Sequence, residues 1–235
     1  MSTRYLVLDT ETTGLEPRQG HKIIEIGCVE LIDRHITGAT YQQYLNPERD
    51  IDEGALEVHG IELSDLQDKP TFAQIADDFI EYIRGATLII HNAAFDVGFL
   101  NHELGLLEQG KGVITDYCEV LDTLLLARKM HPGQRNSLDA LCQRYFIVNE
   151  HRTLHGALLD SEILAEVYLG MTGGQLKLLD EPDLADAEMT APVISLPVDP
   201  NRAPIKVIPA STEEITAHTE WLAKLSESKG EDVSW

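Results

Sequence analysis

Asp9 and Glu11 stand two residues apart at the end of an apolar run, Tyr5-Leu6-Val7-Leu8. Side chains alternate in direction along an extended strand, so both carboxylates project to one side. Two oxygen donors offered together at a strand end suit a hard divalent cation. Taken alone, Asp-x-Glu is more often the polar face of a half-solvated strand, but the abrupt Thr12-Thr13-Gly14 turn directly after it resembles the floor of a site. Asp96 follows the apolar stretch Leu88-Ile89-Ile90 and lies in the first turns of the next helix, within His91-Asn92-Ala93-Ala94-Phe95-Asp96. Open α/β sheets place ligands at such strand-to-helix junctions, although a helix dipole alone also favours a carboxylate there. His155 and Asp160 form the last pair. Five residues on an ideal helix are about 140° out of alignment, which puts His155 ahead of the helix and Asp160 on it. A histidine so placed leans over a site that Asp160 anchors; an ordinary surface-loop histidine is the plainer alternative. For Asp122 and Asp139, a preference for helix starts is a sufficient explanation.

The elements that must position these groups read as α/β. Residues 5–8, 22–32 and 40–45 carry strand patterns, and 88–90 is short and apolar enough for a buried central strand. A helix follows Pro70, with Thr71 and Gln74 as a capping box and Phe72, Ile75, Phe79, Ile80 and Ile83 on one face. Further helices are expected over 91–102, 120–130, 137–146 and 157–169. With 235 residues and 43% hydrophobic content, one domain plus an appendage is the natural organisation. Cys28, Cys118 and Cys142 have no paired spacing and read as core thiols rather than a disulfide or zinc framework. The apolar stretch near Met1 is too short for a signal-peptide core and no segment is long enough to span a membrane, so a cytoplasmic protein is expected. The formal net charge of −22 disfavours a free-standing nucleic-acid binder, because phosphate recognition normally rests on Lys and Arg. Bound divalent metals and a partner that holds the DNA would each reconcile the acidity with a DNA substrate.

The three stretches Leu8-Asp9-Thr10-Glu11-Thr12-Thr13-Gly14, His91 to Asp96 and His155-Gly156-Ala157-Leu158-Leu159-Asp160 resemble, in order, the three exonuclease motifs of the DEDDh superfamily. Val58-His59-Gly60-Ile61, Asp122 to Arg128, Ser137 to Cys142 and Thr172-Gly173-Gly174-Gln175 further resemble the epsilon proofreading subunits of bacterial DNA polymerase III. The resemblance covers about residues 4–176 strongly and the tail loosely. It implies a ribonuclease H-like fold, a mixed five-stranded sheet flanked by helices, and a 3′→5′ exonuclease acting on single-stranded or frayed 3′ DNA ends. Two divalent cations, Mg²⁺ or Mn²⁺, would be held by Asp9, Glu11, Asp96 and Asp160, whose four negative charges they would balance. His155 would be the general base on the attacking water, since an imidazole titrating at roughly 6.5 accepts a proton at neutral pH. Thr12 and the turn at Gly14 would touch the terminal nucleotide, and Val58 with His59 resembles the family stretch packed beside it. The alternative for His59 is that it only ends a helix ahead of Gly60.

Four segments are expected: an exonuclease domain over 1–174, a candidate clamp-binding peptide at 175–179, a Pro-rich linker over 180–210 and a polymerase-binding tail over 211–235. Gln175, Leu176, Leu178 and Leu179 resemble the bacterial sliding-clamp pentapeptide, with Leu179 in place of the final aromatic; an amphipathic continuation of the domain is the alternative. Six of the ten prolines fall between residues 182 and 209, as in a flexible tether. Beyond them Ser211 and Glu214 form a second capping box, and Ile215, Trp221, Leu222 and Leu225 give an apolar face suited to the polymerase catalytic (alpha) subunit. The resemblance leaves open a small accessory subunit. Two other functions compete: an independent exonuclease of the same superfamily acting on RNA or repair ends, and a structural bridge between polymerase and clamp with vestigial catalysis.

Overall fold

Alternation along the first strand sets the architecture. In the computed structural model, which describes residues 3–107, 110–149, 154–173 and 210–229, β1 (Arg4–Thr12) turns Leu6 and Leu8 to one face of a sheet and Val7 to the other. Hydrophobic residues on both faces mark an interior strand covered on each side. β2 (Ile23–Ile32) and β3 (His35–Tyr44) continue antiparallel from β1, while β4 (Thr87–Ile90) and β5 (Glu119–Asp122) run parallel to it. The five-stranded order is β3-β2-β1-β4-β5, the mixed sheet that the family resemblance implies.

Each face carries its own helices. On the side of Leu6, Leu8, Ile26 and Cys28 lie α3 (Phe72–Ile83) and α4 (Ala93–Gly105), with Phe79 and Phe99 fully buried between them and the sheet. The expected capping box starts α3: the Thr71 N–H donates to Gln74 Oε1 at 2.8 Å. On the opposite side, Val7, Val29, Leu31 and Ile89 pack against Leu164, Ala165 and Tyr168 of α7 (Ala157–Thr172). Helices α5 (Thr123–Met130) and α6 (Leu138–Tyr145) join α7 in a separate apolar cluster around Ala127, Leu141, Cys142 and Val167. All three cysteines are buried thiols. No helix among the described residues is long and apolar enough to cross a membrane.

Two details depart from the pattern read in the sequence. Residues 119–122 are strand β5, not the start of a helix reaching 130; Asp122 and Thr123 divide two short apolar stretches that read as one helical pattern. Two short helices, α1 (Glu53–His59) and α2 (Leu63–Leu66), precede α3, with Gly60 in the left-handed conformation (φ 69°) closing α1. Seven and four residues are too few to show a helical period.

Contacts divide the chain into two units, Met1–Glu181 and Pro182–Trp235. In the second, α8 (Thr212–Lys229) opens with the expected box, Ser211 N–H to Glu214 Oε2 at 2.8 Å and Glu214 N–H to Ser211 Oγ at 3.2 Å. Ile215 and Trp221 are exposed on it and Leu222 is half-buried. Gln175, Leu176, Leu178 and Leu179 lie outside the described residues, as does the side chain of Leu225.

Candidate active site

The parity of β1 distributes the acids. Asp9 and Glu11 share the face of Val7, toward α7, whereas Thr10 shares the face of Leu8, toward α4. Accordingly Thr10 Oγ1 donates to Asp96 Oδ1 at 2.7 Å, on a carboxyl that is 2% exposed. Burial pushes the pKa of Asp96 up to about 7, against the lowering effect of the Thr10 hydrogen bond. A bound dication would reverse that shift by favouring the charged form. On the α7 side, ligand atoms of Glu11, His155 and Asp160 lie within 4.8 Å of one another. His155 Nδ1 is 3.3 Å from Asp160 Oδ2, with the imidazole half-exposed and the carboxylate buried. His155 thus leads into α7 and leans onto Asp160, the placement its spacing suggested.

All five groups line one cleft of about 700 Å³. His91, Asn92, Phe95, Leu124, Gln134 and Asp139 also border it, and Arg128 is the one Lys or Arg among the described residues that do. Arg128 could not be singled out from sequence, since an exposed cation on an amphipathic helix is commonplace. Beyond Glu11 a second cleft of about 640 Å³ begins, lined by Thr12, Gly14, Leu15, His21, Val58 and His59. Thr10, Glu11 and Phe95 border both.

The floor of the second cleft is the turn after β1. Thr12 Oγ1 donates to the Gly14 carbonyl at 2.7 Å, and the imidazole of His21 fills the space a Cβ on Gly14 would need. His59 is the last residue of α1, and it also lines this cleft. Its Nδ1 accepts from the Ile61 N–H at 3.0 Å, so Nε2 carries the proton of the neutral ring. That Nε2 is buried. Burial lowers the His59 pKa, opposed by a hydrogen bond to the backbone of Thr12.

Asp122 behaves as a cap. Its Oδ1 accepts from the N–H groups of Leu124 (2.8 Å) and Leu125 (3.1 Å), and Oδ2 from that of Ala93 (3.1 Å), so one carboxylate starts α5 and holds the start of α4. Asp122→Ala is expected to lower stability by about 1–2 kcal/mol, the usual cost of a lost cap, measured by denaturant unfolding, with divalent-cation affinity retained. Unchanged stability with lost cation affinity would make Asp122 a ligand instead. Asp139 is in the first turn of α6, whose cap is Ser137, and its Oδ1 accepts from Asn149 Nδ2 at 3.2 Å.

Comparison with known proteins decides the family. Residues 6–168 match the RNase_T family, described as exonucleases. The Escherichia coli (strain K12) DNA polymerase III subunit epsilon is 49% identical, over 99% of this chain and 97% of that one. The chain belongs to the DNA polymerase III epsilon family. It is a 3′→5′ exonuclease, a phosphodiester hydrolase. Among solved structures, exonuclease X in complex with 5′-overhanging duplex DNA aligns at 30% identity and TM-score 0.53, over 71% of this chain and 90% of that one. The nuclease domain of 3′hExo, a DEDDh family member bound to rAMP, shares the fold at 20% identity and TM-score 0.60, over 72% and 90%. DEDDh exonucleases use divalent metals, and the carboxylate-rich donor set around Glu11 and Asp160 is the hard-oxygen chemistry such ions take.

Proposed function

We propose that this epsilon-family exonuclease edits the product of a replicative polymerase, removing mispaired 3′-terminal nucleotides as nucleoside 5′-monophosphates. The observation that carries the site is the convergence of Glu11, His155 and Asp160 within 4.8 Å, in the same cleft as Asp9 and Asp96. Asp9, Glu11, Asp96 and Asp160 would hold two divalent ions, Mg²⁺ or Mn²⁺. When bound, such a pair polarises the phosphate and stabilises the attacking and leaving oxygens of an in-line displacement.

The chain's own groups do the rest. With a proton on Nδ1 directed at Asp160, the His155 ring keeps its Nε2 lone pair and takes the proton of the attacking water there. The turn from Thr12 to Gly14, the Val58 side chain and the His59 ring wall the terminal nucleotide. The test is digestion of primer–templates by the chain bound to its polymerase: a 3′ mismatch, which frays, is removed faster than a matched end. Equal rates on both, or a preference for RNA ends, would favour the independent nuclease.

We assign residues 1–174 to the exonuclease domain, 175–179 to clamp binding, 180–210 to the linker and 211–235 to docking on the polymerase catalytic subunit. Residues 180–235 hold twelve acidic and four basic residues, which suits a protein partner better than DNA. Tethering would supply what the acidic surface lacks, with effective concentrations that reach roughly millimolar for short linkers. Assembly on the polymerase also implies a cytoplasmic location. Ending the chain after Leu179 is expected to leave hydrolysis of free oligonucleotides unchanged and to remove co-elution with the catalytic subunit. Replacing Gln175 and Leu178 by Ala should weaken clamp binding alone. Wild-type co-elution of the shortened chain would move the docking surface onto the exonuclease domain.

A further inference from the structure

Glu25 is a buried acid that the chemistry above does not use; it is 1% exposed, on β2 directly across from Glu11. It belongs to the sheet face of Val29 and Leu31, beneath α7. We propose that Glu25 is a positioning residue of the hydrolysis, fixing His155 and Asp160 by capping α7 from the sheet.

Helix α7 has no side-chain cap of its own, because Gly156 occupies its N-cap position. The first N–H groups of a helix need acceptors, and a carboxylate is the strongest one available. Glu25 Oε2 accepts from the Ala157 N–H at 3.0 Å, while Oε1 accepts from Gln42 Nε2 at 2.8 Å on the neighbouring strand. The reach is short because Gly27, two residues along the same face, has no Cβ: one there would overlap the backbone of Ala157 and Leu158. Ser161 Oγ closes the contact by donating to the Gly27 carbonyl at 3.0 Å.

This contact bears directly on the site. The His155 N–H donates to the Val58 carbonyl at 3.0 Å, so the segment 155–157 is pinned at both ends, to α1 by His155 and to β2 by Ala157. Asp160 follows one turn later, its N–H on the Gly156 carbonyl at 2.8 Å. Glu25 therefore sets the distance between the Asp9 and Glu11 strand and the helix that carries Asp160. The proposal rests on the reading of His155 as base and Asp160 as metal ligand.

The test compares the full chain with Glu25→Ala, Glu25→Gln, Asp160→Ala and Glu103→Gln. Glu103 is a control: it is another buried acid that ties a helix to β2, through Lys22 Nζ at 2.9 Å and the Ile23 N–H at 3.3 Å, away from the cleft. Glu25→Ala is expected to lower kcat by roughly 10²-fold, as ångström-scale misplacement of reacting groups does, with KM little changed. Glu25→Gln keeps an acceptor for Ala157 and should recover much of the loss. In the metal-free protein, amide exchange at Ala157 should accelerate in Glu25→Ala and not in Glu103→Gln. If Glu25→Ala does not fold, Glu25→Gln alone decides, by a smaller kcat loss without a KM change. Wild-type kcat in the Glu25 variants, or a loss no greater than that of Glu103→Gln at equal Tm, would overturn the proposal while Asp160→Ala remains inactive. Full activity in Asp160→Ala would overturn the site reading, and the proposal with it.

Discussion

Replacing Asp9 or Asp160 by Ala, or chelating divalent cations with EDTA, is expected to reduce exonuclease turnover by at least roughly 10³-fold, because metal ions supply several kcal/mol of transition-state stabilisation in such sites. The cause is local to the cleft. On the proposed reading, the four carboxylates of the cleft repel one another until cations balance them, and removing one leaves too few donors for two ions. The same balance gives a second readout. Wild-type protein is expected to gain stability as Mg²⁺ is added, about 2.7 kcal/mol at a hundredfold excess over Kd. Asp160→Ala should lose that gain and yet be no less stable without metal, since a buried like charge has gone. A thermal melt with and without Mg²⁺ separates these cases. Normal turnover in EDTA would refute the metal site.

His155→Ala should retain the fold and the Mg²⁺-dependent stabilisation but lose roughly 10² to 10⁴ in rate, the range for a general base. Packing argues for an intact fold, because the side chain is half-exposed and its pairing with Asp160 is long, at 3.3 Å. Single-turnover hydrolysis of a short single strand isolates the chemical step from release. A variant with wild-type rate would require another proton acceptor. If instead the rate loss came with loss of the Mg²⁺ effect, His155 would be a ligand, consistent with its place beside Glu11 and Asp160.

Strand alternation puts Asp9 and Glu11 on one face, and Asp96 and Asp160 stand in the first turns of α4 and α7, but neither position marks a site by itself. The ordered set of three motifs is what singles these acids out in the sequence. The segment 119–130 was not legible as two elements: the short apolar stretches Val120-Leu121 and Leu124-Leu125-Leu126 read as one helical pattern, and only Asp122, accepting from Leu124 and Leu125, marks the switch. Phe95 reads as a core residue on a helix, and only the fold shows it bordering both clefts. Thr10 and Glu25 owe their importance to partners 86 and 132 residues away, Asp96 and Ala157. No local pattern carries that information. Gly27 is of the same kind: in sequence it is a weak spot in a strand, in space the point where a helix touches the sheet.

The place of α7 has a consequence for biosynthesis. Among the described residues of the first unit it is the last helix to leave the ribosome, yet it lies against the first two strands made, through Val7 of β1 and through Glu25 and Gly27 of β2. A nascent chain can therefore form the hairpin of β1 and β2 and bury Asp96 while still lacking Asp160 and His155. On the proposed mechanism, hydrolytic competence is therefore expected only once α7 has packed on the sheet, so that activity would report on completion of the domain rather than on any part of it.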